Sequence, residues 1–372
     1  MGFKEREMTF ITVKTGGTHR EMGVDFGRAA KDILRELLAE SARFYKKHAK
    51  HDAEFARRYA MRNFLPHVRR RYPKYLEETR GIAEGANLTF EEVFFLTADE
   101  ELSALWEKKI LEKCSSVAVR TTHGILLGHN EDYPPRYYGR LVIVEAEPND
   151  APAFLALTYP YILAGPSCGM NAEGLSFAAD SLAFPTQKNG IPSNYVLRDL
   201  FRAKRFSDVR RCMSTQALMG NAVIVVSAEG AMIVEASPLQ TAEISLRDEK
   251  FLAHTNHSLA KILDRQKEKP TMNSKRRLRV LTQTFVGNEI DVSLLKRTLS
   301  STKNGLCRPA RRAADSCTIA SVILDPKRKV MYVAKRGPDG HGFQPYYMNT
   351  YVRHQRPSAS NDFVFRARKT SH

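Results

Sequence analysis

No apolar run in the 372-residue sequence approaches the roughly 18–20 residues that a helix needs to cross a bilayer. Stretches such as 220–226 and 320–324 are strand-sized. The N-terminus carries charge where a secretory signal has an apolar core, and Arg6 stands where a myristoylation start wants Ser or Thr. Cysteine is scarce: five residues (114, 168, 212, 307 and 317), odd in number, scattered, and without a CxxC pair. That disfavours both a zinc site and a disulfide framework, and it fits a reducing compartment. These absences predict a cytoplasmic protein with no membrane partner, no metal and no cofactor.

Acidic residues are also few, 41 against 58 Lys and Arg, for a net charge of +17. Such a balance concentrates anions near the surface, whether nucleic acid, acyl-coenzyme A, phosphate or anionic lipid. Basic clusters at 46–71, 261–279, 308–312 and 353–369 are mostly interleaved with apolar residues at helical spacing. They read as solvated helix faces. There is no zinc finger, no phosphate loop with Gly-Lys-Ser/Thr and no aromatic RNA-binding signature, so nucleic acid is a disfavoured partner despite the charge.

What is present is a globular composition, 42% hydrophobic and 27% charged, with no internal repeat and no low-complexity linker. The pattern changes near residue 114. Before it, the spacing predicts helices over 18–45, 53–64, 66–87 and 89–106; in the first, Met22, Phe26, Ala29, Ile33, Leu37 and Leu38 recur mostly three and four apart. Thr89 and Glu92 form a capping box. After residue 114 short β-rich runs follow at 115–120, 125–129, 141–147, 153–157, 175–180, 221–227, 232–237, 251–255, 317–324 and 330–334. Helices are expected between them at 192–203, 207–214 and 273–285. Many short strands with a few helices imply an α+β fold of antiparallel sheets covered by helices. The stretch from about Pro357 is polar, basic and expected to be loosely ordered.

The most informative segment is 113–133. Two strands flank Thr122-His123-Gly124, and a three-residue hairpin loop with Gly124 at positive φ pairs Thr121 with Ile125. Continued without a bulge, that register sets Cys114 opposite Asp132, about 4.5–5.5 Å apart at Cβ. A one-residue slip would reverse the facing and bring in Glu131; Asp180 is a further candidate acid.

This hairpin resembles the start of the mature catalytic chain in the acyl-coenzyme A:6-aminopenicillanate acyltransferase family of N-terminal-nucleophile (Ntn) hydrolases, relatives of the bile-salt (choloylglycine) hydrolases. Such chains begin with Cys and small residues, then run to a Gly-x-Asn-x-Asp sequence, matched here by Gly128-His129-Asn130-Glu131-Asp132. Further likenesses follow in order: Cys168-Gly-Met-Asn-Ala-Glu-Gly-Leu175, His254-Thr-Asn-His257, Ser274-Lys-Arg-Arg277 and Thr318–Asp325, with Gly16, Gly23 and Gly27 upstream. The resemblance spans roughly residues 16–347. It implies a four-layer αββα sandwich, one domain built from fragments 1–113 and 114–372 after a self-inflicted cut between Lys113 and Cys114.

The resemblance further implies the chemistry. Cys114 would be the nucleophile and its freed α-amine the base. Asp132 would orient that amine, and Asn256 would offer an oxyanion-hole donor. Arg277 would anchor Asp132 or a substrate carboxylate, unless it lies on the exposed side of its basic helix. His129 and Asp180 stand where bile-salt hydrolases carry other residues, so they are assigned to substrate binding or its support, and bile salts are disfavoured. His254, His257 and Asp264 lack ligand spacing for a metal. The implied activity is hydrolysis of a linear amide or transfer of its acyl group to an amine. Alternatives are a coenzyme A-dependent N-acyltransferase, or a non-enzymatic polyanion-binding protein. Partners are then a small amide or acyl-coenzyme A, with a homo-oligomer allowed.

Overall fold

The computed structural model describes residues 10–48, 51–107, 114–163, 167–247, 249–266, 268, 271–310, 316–337 and 341–348. The chain opens with strand β1 (Ile11–Gly17) and helices α1 (His19–His48), α2 (Ala53–Asn63), α3 (Leu65–Arg71), α4 (Pro73–Ala86), α5 (Phe90–Thr97) and α6 (Asp99–Glu107). Then come β2 (Ser115–Thr121), β3 (Gly124–Tyr133), β4 (Val142–Pro148), β5 (Phe154–Thr158), β6 (Cys168–Asn171) and β7 (Ser176–Leu182). Helices α7 (Ser193–Asp199) and α8 (Phe206–Met213) precede β8 (Gly220–Val226), β9 (Ala231–Ala236), β10 (Thr241–Ser245) and β11 (Phe251–His254). Helices α9 (Met272–Phe285) and α10 (Val292–Ser300) lead to β12 (Cys317–Asp325), β13 (Val330–Lys335) and β14 (Gln344–Tyr347).

Two sheets result. One has eight strands in the order β1-β4-β5-β6-β7-β8-β9-β10; the other has six, β11-β2-β3-β12-β13-β14. All neighbours are antiparallel except β1, which runs parallel to β4. The sheets pack face to face where β2 and β3 meet β7 and β8. Helices α1 and α8 lie against the first sheet, and α9 and α10 against the second. The order is helix, sheet, sheet, helix, the expected αββα layering. A separate apolar cluster holds the outer layer in place: Val117, Leu126 and Ile323 of the sheet meet Leu281, Phe285, Leu295 and Leu299 of α9 and α10.

Two expected helices are broken. The span 66–87 divides at Tyr72, whose φ of −132° and ψ of 52° are non-helical, because Pro73 clashes with a helical residue before it. The span 89–106 divides at Ala98, and the Thr89–Glu92 capping box opens its first half. Strands β1, β6, β10 and β14 and helix α10 add to the expected set. Gly16, grouped with Gly23 and Gly27 by the resemblance, sits apart from them in β1, where an added Cβ would lie 3.1 Å from the Glu147 carbonyl.

The crossing of α1 and α4 sets the helical layer. Gly23 and Gly27 on α1 face Gly81 and Gly85 on α4, and a Cβ at Gly81 would stand 2.1 Å from the Arg20 carbonyl oxygen. Backbone meets backbone there, so no rotamer change can make room. Ala normally stabilises a helix interior by about 1 kcal/mol over Gly, but overpacking reverses the sign. Gly81→Ala is expected to cost about 2 kcal/mol or more in urea denaturation, while Gly342→Ala, with no atom within 4 Å of the added Cβ, stays within about 0.5 kcal/mol. Equal midpoints for the two variants would contradict the close helix contact.

Candidate active site

The β2–β3 hairpin turns one residue earlier than the sequence suggests. Gly124 has the expected positive φ, 139°, but it stands inside the ladder opposite Thr121, so Arg120 faces Ile125 and Ser115 faces Asn130. The Thr121 hydroxyl donates to the Gly124 carbonyl at 2.9 Å and accepts from the His123 N–H at 3.1 Å, closing the turn around Thr122-His123. One step beyond the ladder, Cys114 is level with Glu131, not with Asp132. The expected Cys114–Asp132 facing is therefore corrected, since a shift of one residue turns every side chain to the other face.

Glu131 is the hub of the site. The Cys114 thiol donates to its Oε1 at 3.3 Å, and the Tyr159 hydroxyl donates to the same oxygen at 2.8 Å. Its Oε2 meets His129 Nε2 at 3.1 Å and accepts from the Ser167 hydroxyl. Burial opposes the charge, but His129, Ser167 and Tyr159 overcome it and hold the carboxyl at about 2. Burial also lowers the His129 pKa, yet contact with Glu131 reverses this and raises it overall. The two form an ion pair between the sheets. Around the thiol the balance runs the other way. Burial, then the charges of Glu131, Asp180 and Asp132, push its pKa well up, with only the Asp132 backbone N–H opposing.

Asp132 points to the opposite side of β3, as alternation in a strand requires. It accepts from the Thr318 hydroxyl on β12 at 2.6 Å and from Arg308 at 3.5 Å, and burial lifts its carboxyl to about 6 against the pull of Arg277 and Arg308. Asn130, on the same side, donates to the Leu299 and Leu306 carbonyls at 3.0 Å. Gly128 leaves room for Leu295, whose Cδ1 would lie 2.8 Å from a Cβ there. In Gly-x-Asn-x-Asp the three named residues thus serve the contact with α10 and β12, and the two unnamed ones face the interior.

Arg277 is fully buried, so the exposed-face alternative for it is set aside. Its guanidinium donates to the Cys114 carbonyl, to the Ser115 hydroxyl at 2.6 Å and to Asn256 Oδ1 at 2.7 Å. Asn256 in turn donates one side-chain N–H to the Ser181 carbonyl at 3.0 Å, and its backbone N–H goes to Ser274. Arg277 and Asn256 are thus joined to the backbone of Cys114. Lys113 lies outside the described residues.

His129 and Asp180 do not line the pocket beside Cys114. They belong to a buried polar seam beneath it. Ser116 Oγ meets His129 Nδ1 at 2.8 Å and Asp180 Oδ1 at 3.0 Å, and His254 joins Asp180 to Glu235 at 3.1 Å on each side. The pocket itself is lined by Cys114, Glu131, Tyr159, Tyr161, Glu101 and Ser193 among others. The sequence reading held Glu131 only in reserve, and it missed Glu101 and the tyrosines. Once Ser116 is paired with His129, counting two residues back from the first gives Cys114 and two forward from the second gives Glu131. Nothing local marks Glu101. Cys114, His129 and Glu131 present three ligand-type atoms within 4.8 Å of one another, but these atoms already bond among themselves. His254 and His257 stay apart from that group, in the seam and against Ser274. All five cysteines are free and buried, and no described helix is long and apolar enough to cross a membrane.

A buried thiol thus stands at the head of a strand, hydrogen-bonded to a carboxylate, with its own carbonyl held by a buried arginine that also binds an asparagine. A family model described as acyl-coenzyme A:6-aminopenicillanic acid acyl-transferase matches residues 119–339, well over half of the chain, and the chain belongs to that family. It is 26% identical over 224 residues to the beta-alanyl-dopamine/carcinine hydrolase of Drosophila melanogaster, covering 56% of this chain and 58% of that protein. The chain thus spans less than two thirds of the fly protein's length. It is also 26% identical over 254 residues to the 40 kDa form of the acyl-coenzyme A:6-aminopenicillanic-acid-acyltransferase of Emericella nidulans, covering 67% and 70%. Among solved structures, a mutant conjugated bile acid hydrolase from Clostridium perfringens aligns at 12% identity and TM-score 0.43, over 64% of this chain and 93% of that one. Penicillin V acylase from Agrobacterium tumefaciens aligns at 13% and 0.39, over 60% and 82%.

The seam makes stability depend on pH. Burial lowers the His254 pKa, but its hydrogen bonds to Asp180 and Glu235 outweigh this and raise it from 6.5 to about 9. A raised folded pKa stabilises fully below the unfolded value and is lost as pH climbs through the folded one. Unfolding free energy should therefore fall by about 3 kcal/mol between pH ~6.5 and ~9 from this group. His254→Gln should remove that slope and lower stability at neutral pH, because two buried carboxylates lose their cation. The same slope in wild type and His254→Gln urea titrations would show that another group carries it.

Proposed function

We propose that this protein is a self-processing amide hydrolase or acyltransferase that cuts itself between Lys113 and Cys114 and then uses the N-terminal cysteine as nucleophile. The observation that carries the reading is the position of the Cys114 thiol, on the wall of a pocket and 3.3 Å from the Glu131 carboxylate. Fragments 1–113 and 114–372 remain one domain, because helices α1 to α6 belong to the first and both sheets draw most of their strands from the second.

In the uncut chain the thiol attacks the Lys113 carbonyl carbon. A C–S bond forms, the peptide C–N bond breaks, and the proton leaving sulfur passes by way of Glu131 to the Cys114 nitrogen. Water then resolves the thioester, leaving a carboxylate on Lys113 and a free thiol and α-amine on Cys114. The amine, with a reference pKa of about 7.7–8.0, takes the thiol proton in later turnovers and delivers it to the leaving amine of the substrate. Arg277, held against the Cys114 carbonyl, fixes the residue's backbone. Asn256, hydrogen-bonded to Arg277 and to the Ser181 carbonyl, is the candidate side-chain donor to the developing oxyanion, a contribution of ~2.7–4 kcal/mol in comparable sites. His129 and Asp180 support Glu131 and Ser116 from below and do not meet the substrate.

The acyl-enzyme then passes to water or to a second amine. One relative is named a hydrolase of beta-alanyl-dopamine and carcinine, and the other an acyl-coenzyme A-dependent acyltransferase. The net charge of +17 favours the coenzyme A reading, since it attracts a polyanionic acyl donor. The acidic pocket wall, with Glu100, Glu101 and Glu131, favours hydrolysis of an uncharged or cationic amide. The five free thiols suit a reducing cytosol.

Purified protein should run as two chains, the larger beginning at Cys114 on N-terminal sequencing, and Cys114→Ala should remain one inactive chain. An uncut wild-type chain with full amidase activity would sink the self-cleavage reading.

The corrected register makes a sharper demand. A carboxylate beside the α-amine favours the ammonium form, so its loss lowers the amine pKa. The acid limb of kcat/KM against pH should move to lower pH in Glu131→Gln and hardly at all in Asp132→Asn, whose carboxyl faces the other way. Both variants are best measured in a chain starting at Cys114 and co-expressed with residues 1–113. A shifted limb in Asp132→Asn alone would return the role to Asp132.

A further inference from the structure

The pocket beside Cys114 holds a buried carboxylate with work left to do. Glu101, on α6, is 1% exposed and lines the pocket. Its Oε1 accepts the Ser193 backbone N–H at 2.7 Å, but its Oε2 has no hydrogen-bond partner among the described residues. The Ser193 hydroxyl, at the start of α7 and on the same pocket wall, lies beside this carboxylate and keeps lone pairs with which to accept. An unsatisfied carboxylate oxygen in a buried pocket is costly unless a donor arrives. The walls around them suit a cation. Tyr133, Tyr159 and Tyr161 line the same pocket with ring centroids 5.1 and 5.5 Å apart in succession, offering aromatic faces. Among the described pocket-lining residues there is no Lys or Arg.

We propose that this pocket selects amides carrying a free primary ammonium group, which donates hydrogen bonds to Glu101 Oε2 and Ser193 Oγ while the amide carbonyl lies at Cys114. The inference rests on Cys114 being the nucleophile and adds the substrate class to that reading. Burial raises the Glu101 carboxyl to about 7 against the opposing Ser193 N–H, so the empty pocket holds a partly protonated acid. A bound ammonium favours the ionised form, and binding therefore strengthens as pH rises through neutrality.

The test compares the mature enzyme on matched para-nitroanilides and alkyl amides, each pair differing only in a terminal amine against a methyl group, with the amine on the acyl side in one set and on the leaving side in another. The amino member of at least one set should be preferred by about tenfold or more in kcat/KM, as a charged hydrogen bond predicts. Glu101→Gln, which keeps an acceptor for Ser193, should erase the preference by slowing the amino member far more than the methyl member; Ser193→Ala should weaken it. Equal rates within every pair, or equal slowing of both members in Glu101→Gln, would overturn the proposal while the Cys114-dependent activity stands. A second readout needs no turnover: butylamine should slow the modification of Cys114 by a methanethiosulfonate, followed by mass spectrometry, in wild type and not in Glu101→Gln, and butanol should not. Failure of Cys114→Ala to affect amide cleavage would remove the nucleophile reading, and absence of butylamine protection would remove the ammonium site on its own account.

Discussion

A carboxylate between two sheets must find partners for both oxygens, and Glu131 organises its surroundings to that end. Its partners come from four places in the chain: Cys114 at the head of β2, His129 two residues earlier on β3, Tyr159 after β5 and Ser167 before β6. Those contacts tie the six-stranded sheet to the loops of the eight-stranded one. The charge on His129 continues the chain through Ser116 to Asp180, His254 and Glu235. A polar seam thus runs through an interface that is otherwise Val, Ala, Leu and Phe. Its members are satisfied only when both sheets are in place, so the seam specifies how the layers register as well as how the thiol is held.

Strand β3 divides two tasks by the simplest rule of a strand, the alternation of its side chains. One face, with Gly128, Asn130 and Asp132, accepts α10 and β12; Asn130 donates to the carbonyls of Leu299 in α10 and Leu306 in the loop after it. The other, with His129 and Glu131, builds the floor of the pocket. Arg277 links them from the side, since its guanidinium reaches the Cys114 carbonyl while its charge lowers the carboxyl of Asp132. A substitution in this strand therefore speaks to stability or to chemistry according to parity.

Charge is distributed with a purpose that the total conceals. The chain as a whole carries +17, yet the pocket beside the thiol is walled by acids and tyrosines. The excess of Lys and Arg lies elsewhere, in basic runs such as 46–71 and 261–279. Net charge shapes what approaches the protein, and the local wall decides what is held.

Most of the layering was legible in the sequence. Helical spacing in α1, the capping box at Thr89 and the run of short strands after residue 114 reflect local rules of period and turn, and these survive any tertiary context. The break at Pro73 was equally local and was overlooked. The motif order also pointed to the family and to Cys114, Asn256 and Arg277 as one neighbourhood. The register of the hairpin was not legible, because two turn geometries fit Thr122-His123-Gly124 and differ by one residue. Only the hydroxyl of Thr121 and the packing of Leu295 against Gly128 select between them. Nor was Glu101 legible. It is one acid among three in a row, and what sets it apart is burial against Ser193, 92 residues away. Sequence determined which residues could act, through period, turn chemistry and motif order. Tertiary structure decided which of them face each other, because that depends on a one-residue register and on contacts between segments far apart in the chain.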